Sequence, residues 1–287
     1  MAQTVIGLLH PGEMGAAVGA TLRDAGRSVL WASAGRSPET AARAVRAGLE
    51  DAGTTHELAA RSAVILSVCP PHAALDVVCS VAGFTGIFVD ANADSPATAR
   101  EIGALIDRGG AGRYVDAGII GPPPSLAGST RLYIAGPAAE SVAELFAGTA
   151  LEPRVLSAEA GEASALKMVY AAWTKGTAAL LLAIRALARA EHVEEALLAE
   201  WRLSLPELAE RSTSAARSAG GKGWRWVAEM EEIASTFASA DLPDGFHRAA
   251  AEVFRRTPRL ADPTDDVLDG IMGVLAVKAE AREETLG

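Results

Sequence analysis

Lysine is scarce in this chain of 287 residues: Lys167, Lys175, Lys222 and Lys278 are its four, and the rest of the 26 cationic residues are arginines. Cysteine occurs twice, at Cys69 and Cys79. Two such residues make no disulfide framework, and there is no CxxC pair for a metal. Five histidines show no HExxH spacing, and His56-Glu57 has no second histidine four residues on. Cationic charge is in deficit, 26 against 36 acids for a formal net charge of −10, which argues against a nucleic-acid binder. Long apolar runs are missing too. The longest, Ala178 to Ile184, is cut by Arg185 and Arg189, whereas a spanning helix needs about 20 apolar residues. The start lacks a basic leader, so the expectation is a soluble cytoplasmic protein without membrane or nucleic-acid partners.

What is present is a hydrophobic fraction of 49%, which excludes disorder, in a length that favours two domains. The first half alternates strands and helices. Thr4–Leu9, Ser28–Trp31, Ala63–Val68, Gly86–Asp90, Arg113–Ala117 and Arg131–Ala135 read as strands, with a weak one near Leu49. Ala16–Ala25, Pro38–Ala47, Ala73–Val81, a segment from Ser95-Pro96 to about Arg108 and one from about Ala138 read as helices. That alternation predicts an α/β fold, a Rossmann-type doubly wound and mostly parallel sheet. The second half reads as all-α. It opens with a long helix from about Glu159 to Glu191, followed by helices over Val193–Trp201, Pro206–Ser218, Trp224–Phe237, Asp244–Arg256 and from Thr264 to the end. Gly220-Gly221 and Pro243 read as breaks. The predicted domains are 1–157, binding a dinucleotide, and 158–287, helical.

Two turns carry the first chemical signal. A dinucleotide fold uses a glycine-rich turn that brings pyrophosphate onto backbone N–H groups at a helix N-terminus. Here the aligned positions are His10, Gly12 and Gly15, so the first glycine of GxGxxG is replaced. After the second strand, Ala32-Ser33-Ala34-Gly35-Arg36-Ser37 has no acid for a ribose diol. Ser33, Arg36 and Ser37 suit a 2′-phosphate, so NADP is the expected cofactor rather than NAD.

"IGLLHPGEMGAAVGATLRDAGRSVLWASAGRS", "VILSVCPPHAA", "FVDANADSPATAREI", "YVDAGIIGPPPS" and "GEASALKMVYAAWTKG" resemble the β-hydroxyacid dehydrogenases. These include 3-hydroxyisobutyrate and 6-phosphogluconate dehydrogenases and, more distantly, imine reductases. "GWRWVAEMEEIASTF" and "LPDGFHRAAAEVF" resemble the C-terminal domain of a phosphogluconate-dehydrogenase-like subgroup. The resemblance implies a Rossmann domain, a long interdomain helix and a helical domain that forms a homodimer. It implies pyrophosphate over Gly12, Glu13, Met14 and Gly15. It also sets Val68, Cys69 and Pro70 by the adenine-side ribose, and Asn92 and Ala93 by the nicotinamide-side ribose.

The family's catalytic lysine matches Lys167. Its asparagine four residues on is Ala171 here, and its substrate-gripping Ser-Gly-Gly is Ile120-Gly121-Pro122. Helical spacing puts Tyr170, Ala171 and Thr174 on the side of Lys167, with Lys175 at the rim. The expected substrate residues are therefore Ile120, Gly121, Pro122, Tyr170, Ala171, Thr174 and Lys175, and no metal is expected. The expected activity is hydride transfer between nicotinamide and a hydroxy or keto substrate, with Lys167 as general acid/base. The alternatives are imine-reductase-like C=N reduction and an NADP-binding sensor or scaffold without turnover. Cys69 is expected to be a packed thiol, Cys79 a core residue, and Trp224, Trp226, Met230 and His247 structural.

Overall fold

In the computed structural model, residues 4–109, 112–260 and 267–276 are described. The chain divides into two compact units, 1–168 and 169–287.

The first unit is built on β1 (Val5–Leu9), α1 (Glu13–Asp24), β2 (Ser28–Trp31), α2 (Pro38–Arg46), β3 (Glu50–Asp51) and α3 (Thr55–Arg61). It continues with β4 (Val64–Ser67), α4 (Ala74–Cys79), β5 (Ile87–Asp90), α5 (Pro96–Arg108), β6 (Arg113–Ile120), β7 (Thr130–Ala135), α6 (Ala139–Leu145) and β8 (Leu151–Ser157). Helix α7 (Glu162–Ala190) spans the division between the units. The second unit adds α8 (Glu194–Ser204), α9 (Leu208–Ser239), α10 (Gly245–Arg256) and α11 (Val267–Ala276).

Among the described residues the sheet has eight strands in the order β3-β2-β1-β4-β5-β6-β7-β8. β1 to β6 run parallel, and β7 is antiparallel to β6. The order reverses between β1 and β4, the crevice at which open α/β sheets bind ligands. Both faces are covered, so the strands read as continuous apolar runs. The period of two still sorts them. Ile6, Leu8, Val64, Leu66, Ile87 and Val89 pack with α1 and α6 residues such as Leu22 and Val142. Leu9, Ile65 and Phe88 pack on the other face with Leu58, Val77 and Ile102.

Several expectations are corrected. Gly220-Gly221 does not break the chain; α9 runs unbroken over Leu208–Ser239. Gly220 and Gly223 are buried, and a Cβ on Gly223 would lie 3.5 Å from Ala219 Cβ and 3.6 Å from Phe254 Cδ1. A Cβ at Gly223 would make only ordinary contacts, so the helix continues because α9 packs along α10, which outweighs a cost of about 1 kcal/mol per glycine. Strand β8 and helix α3 were not anticipated. Cys79 is exposed rather than in the core, because α4 buries Ala74, Val77 and Val78 and Cys79 ends the opposite face. The final helix is described only over Val267–Ala276, so the rest of the segment expected from Thr264 onward lies outside the described residues.

Candidate functional site

The loops after β1, β2, β4 and β5 meet at the carboxyl ends of the parallel strands. The first loop turns sharply, with His10 at φ 67°. Gly12 N–H donates to His10 O at 2.7 Å, and Gly12 is the N-cap of α1. Gly15 is buried in the first turn, where a Cβ would meet His10 O at 2.5 Å and Val68 Cβ at 3.5 Å. By contrast, a Cβ on Gly12 would have no heavy atom nearer than His10 O at 4.0 Å. Glu13 is exposed and Met14 half-buried. The result is a bare helix N-terminus with room beside Gly12, suited to an anion.

Around this turn lie buried nitrogens without partners. Among the described residues neither the buried Nδ1 of His10 nor the buried Nε of Arg36 has a hydrogen-bond partner. Burial, and then the positive charge of Arg36, push the His10 pKa down to about 4. Burial likewise lowers the Arg36 pKa, with Cys69 the opposing neighbour. Buried polar atoms are ordinarily satisfied, so this electrostatically coupled pair of orphaned nitrogens marks a place for a polar ligand.

The two serines beside Arg36 have other work. Ser37 caps α2, accepting from Thr40 N at 3.3 Å. Ser33 bonds Asp51, whose carboxyl is raised by burial but held below its usual range by the Gly53 N–H and Ser33. Arg36 is therefore the residue of that loop with an uncommitted buried donor.

The β4 and β5 loops are tied by Asn92, which is buried. Its Oδ1 accepts from Cys69 N at 2.6 Å and its Nδ2 donates to Ser67 Oγ at 3.3 Å. Asn92 thus positions the Val68-Cys69-Pro70 loop. Val68, Cys69 and Ala93 are half-buried and Pro70 is exposed. Burial pushes the Cys69 thiol up to about 12, so it is a packed thiol and not a nucleophile.

The carboxyl end of β6 carries the lysine. Lys167 Nζ donates to Ile119 O at 2.8 Å. Strand and helix lie close because residue 118 is glycine; a Cβ there would fall 2.9 Å from Ala163 O and 3.1 Å from Lys167 Cβ. Asp116 fastens the same turn. Its Oδ2 accepts from Gly161 N at 2.8 Å and Ser164 N at 3.0 Å, and its Oδ1 from Ser164 Oγ at 2.6 Å.

Asp90 pairs with Asp116 across β5 and β6 and accepts from Tyr114 Oη at 3.3 Å. Burial raises both carboxyls, and the charge of Asp116 raises Asp90 further. Burial and then these two carboxylates push Tyr114 well above the ordinary phenol range. Sequence reasoning missed this cluster. Its signal is the repeated Val-Asp at the ends of "FVD" and "YVD".

The expected substrate residues fall in different settings. Ile120 is buried. Gly121 has φ 130° and Pro122 O accepts from Thr130 Oγ1 at 2.6 Å, so this stretch is a turn knitted to β7. Tyr170 is exposed and Ala171 buried. The Thr174 hydroxyl donates to Tyr170 O at 3.3 Å. Lys175 is ion-paired with Glu229, both largely buried. In the second unit Met230 is buried, Trp226 meets Phe254 edge-on at 5.1 Å, and His247 is tilted against Phe237 at 4.2 Å. Trp224 is exposed under the guanidiniums of Arg225 and Arg259. Among the described residues no helix is long and apolar enough to cross a membrane, and no group of His, Cys, Asp or Glu is placed to hold a metal.

Strand order, two-unit division and helical second half together give the fold of the 3-hydroxyacid dehydrogenase-like two-domain proteins. Residues 188–257 match the family model described as a domain of unknown function, DUF1932. An uncharacterised 28.5 kDa protein from the 7S RNA 5′ region of Methanothermus fervidus is 32% identical over 157 residues, which span 54% of this chain and 59% of that one. Among solved structures, a conserved protein of unknown function, described as structurally similar to 3-hydroxyacid dehydrogenases, is 25% identical with a TM-score of 0.67, covering 96% of this chain and 100% of that one. The 3-hydroxyisobutyrate dehydrogenase of Mycobacterium tuberculosis, solved with L-serine, gives a TM-score of 0.70 at 18% identity over 96% and 100% of the chains. A reductive aminase from Aspergillus terreus, solved with NADPH, cyclohexanone and allyl amine, gives 0.57 at 19% over 93% and 98%.

Proposed function

We propose that this protein is an NADP-dependent oxidoreductase moving a hydride between nicotinamide and a hydroxy or keto substrate, with Lys167 as general acid/base. The observation that carries the reading is a pair of orphaned buried nitrogens, His10 Nδ1 and Arg36 Nε, on the loops after β1 and β2, with the open N-terminus of α1 following His10. These residues fit a dinucleotide that carries an extra phosphate. Gly12 to Gly15 would hold its pyrophosphate, with room at Gly12, and Arg36 its 2′-phosphate. Val68 to Pro70 and Asn92-Ala93 would line the riboses.

When bound, the nicotinamide supplies or accepts the hydride. The chain's own part is the proton. Lys167 Nζ is anchored to Ile119 O at the carboxyl end of β6, and from there the amine gives a proton to a forming alkoxide or takes one from an alcohol. Asp116 and Gly118 position that amine by fixing the first turn of α7 against β6. The dehydrogenases and NADPH-bound reductases among the fold's neighbours support the class of chemistry. The reductive aminase keeps C=N reduction as a second reading.

The reading includes a cytoplasmic homodimer formed through the helical unit. Exposed Val169, Trp173, Leu180 and Leu187 support that pairing, since their spacing sets them on one stripe of α7. For the catalytic claim, turnover is first found with a panel of hydroxy acids, keto acids and imines. Lys167→Ala then lowers kcat by on the order of 10²-fold or more. An unchanged kcat removes Lys167 from the mechanism.

A further inference from the structure

The helical unit contains a cavity of about 380 Å³ between the middle of α7 and the first half of α9. That volume lies in the range of small-molecule sites, ~300–1,000 Å³. Its floor is apolar, formed by Leu181 and Ala215, both buried, with Ala178 and the half-buried ring of Trp226. Its α9 wall is polar. Arg211, Ser214 and Ser218 follow at i, i+3 and i+7, which sets them within about 60° of one another on the helix.

The Arg211 guanidinium and the Ser214 and Ser218 hydroxyls are exposed to solvent along this wall. The other cation of the cavity, Lys175, is already neutralised by Glu229. The Thr174 and Thr177 hydroxyls donate to backbone carbonyls of their own helix. The solvent-exposed cation of this wall is therefore Arg211, flanked by two hydroxyls and facing the apolar side chains of Leu181 and Ala215.

We propose that this cavity binds a small organic carboxylate. Arg211 receives the carboxylate as a fork, Ser214 and Ser218 donate to its remaining lone pairs, and the hydrocarbon body lies on Leu181, Ala178 and Trp226. Thr174 and Lys175 of this cavity are also expected substrate residues, but none of its residues belongs to the loops after β1, β2, β4 and β5, so the site does not rest on the NADP reading. The carboxylate comes either from a substrate's tail or from a separate regulatory acid, and the two sources share this chemistry.

Calorimetric titration of the full chain with hexanoate and benzoate, against hexanamide and benzamide, tests the proposal. The acids bind and the amides bind at least about tenfold more weakly. Arg211→Gln weakens the acids by about tenfold or more, consistent with loss of one charged hydrogen-bonding group. Arg217→Gln, on another face of α9, leaves them unchanged. Acids and amides of equal affinity, an unchanged affinity in Arg211→Gln, or no acid binding by about 10 mM overturns the proposal.

NADPH titration of the same Arg211→Gln protein separates this result from the cofactor reading, and its affinity is expected to equal wild type. The source is read from the acid's effect on turnover. A substrate's tail makes hexanoate a competitive inhibitor, raising KM alone, whereas a regulatory acid changes kcat.

Discussion

Replacing Asp116 with alanine probes the joint that fixes Lys167. The carboxylate accepts from two backbone N–H groups, Gly161 and Ser164, and from the Ser164 hydroxyl, and both Asp116 and Ser164 are buried. Alanine leaves two buried N–H groups unsatisfied at about 1–3 kcal/mol each. Against that loss, removing Asp116 relieves its own desolvation and its repulsion of Asp90. The net expectation is a loss of about 2–4 kcal/mol.

The loss also depends on pH. A carboxyl whose folded pKa is raised binds its proton more tightly in the native state. Its contribution to stability is present at low pH and is lost as pH rises through the window between the unfolded and the raised folded value. Wild type therefore loses stability across that window, and Asp116→Ala, with the pair reduced to Asp90 alone, loses less. Urea denaturation followed by circular dichroism at pH 5 and pH 8 reads both effects, with a larger penalty expected at pH 5. A penalty under about 1 kcal/mol at both pH values refutes the argument, since even one orphaned buried N–H should cost that much.

Other expectations follow from separate parts of the molecule. In the helical unit Arg185 is buried and bonds Glu194 Oε1 at 3.0 and 2.6 Å and Ser212 Oγ at 2.8 Å, while Arg189 bonds Glu194 Oε2 at 2.9 Å. Glu194→Ala leaves a buried guanidinium uncompensated, and urea denaturation should show a loss of about 3–5 kcal/mol. At the loop after β1, burial and Arg36 lower the His10 pKa to about 4. The unfolded state then binds the extra proton between pH 6.5 and 4, so stability falls as pH drops through that window. His10→Asn, which tolerates the positive φ, should flatten that fall by about 1–2 kcal/mol after discounting for partial solvent exposure. An identical pH profile in wild type and variant contradicts the assignment.

The core of the sheet was legible because β1, β2, β4 and β5 are apolar runs each followed by a turn, and the site loops follow from the same punctuation. β8 was not legible, since Leu151–Ser157 contains Pro153 and Arg154 and is partly exposed at the sheet edge, where proline is tolerated. The glycine pair Gly220-Gly221 misled because the helix continues through it on the packing of α9 against α10, a partner that lies far along the chain. Arg36 was readable as a lone cation after the second strand. The commitments of Ser33 and Ser37 to Asp51 and to the α2 cap were not, because they rest on hydrogen bonds that spacing alone does not reveal. The Asp90–Asp116 pair needed the strand register to bring together residues 26 positions apart.

The measurement that tests the central claim most directly is a fluorescence titration of the protein with NADPH and with NADH, repeated on Arg36→Gln. The account predicts that NADPH binds more tightly than NADH. It also predicts that Arg36→Gln weakens NADPH by about tenfold or more while leaving NADH nearly unchanged, because the lost guanidinium would meet only the 2′-phosphate. Tighter binding of NADH, binding of neither, or an equal loss for both in the variant contradicts it.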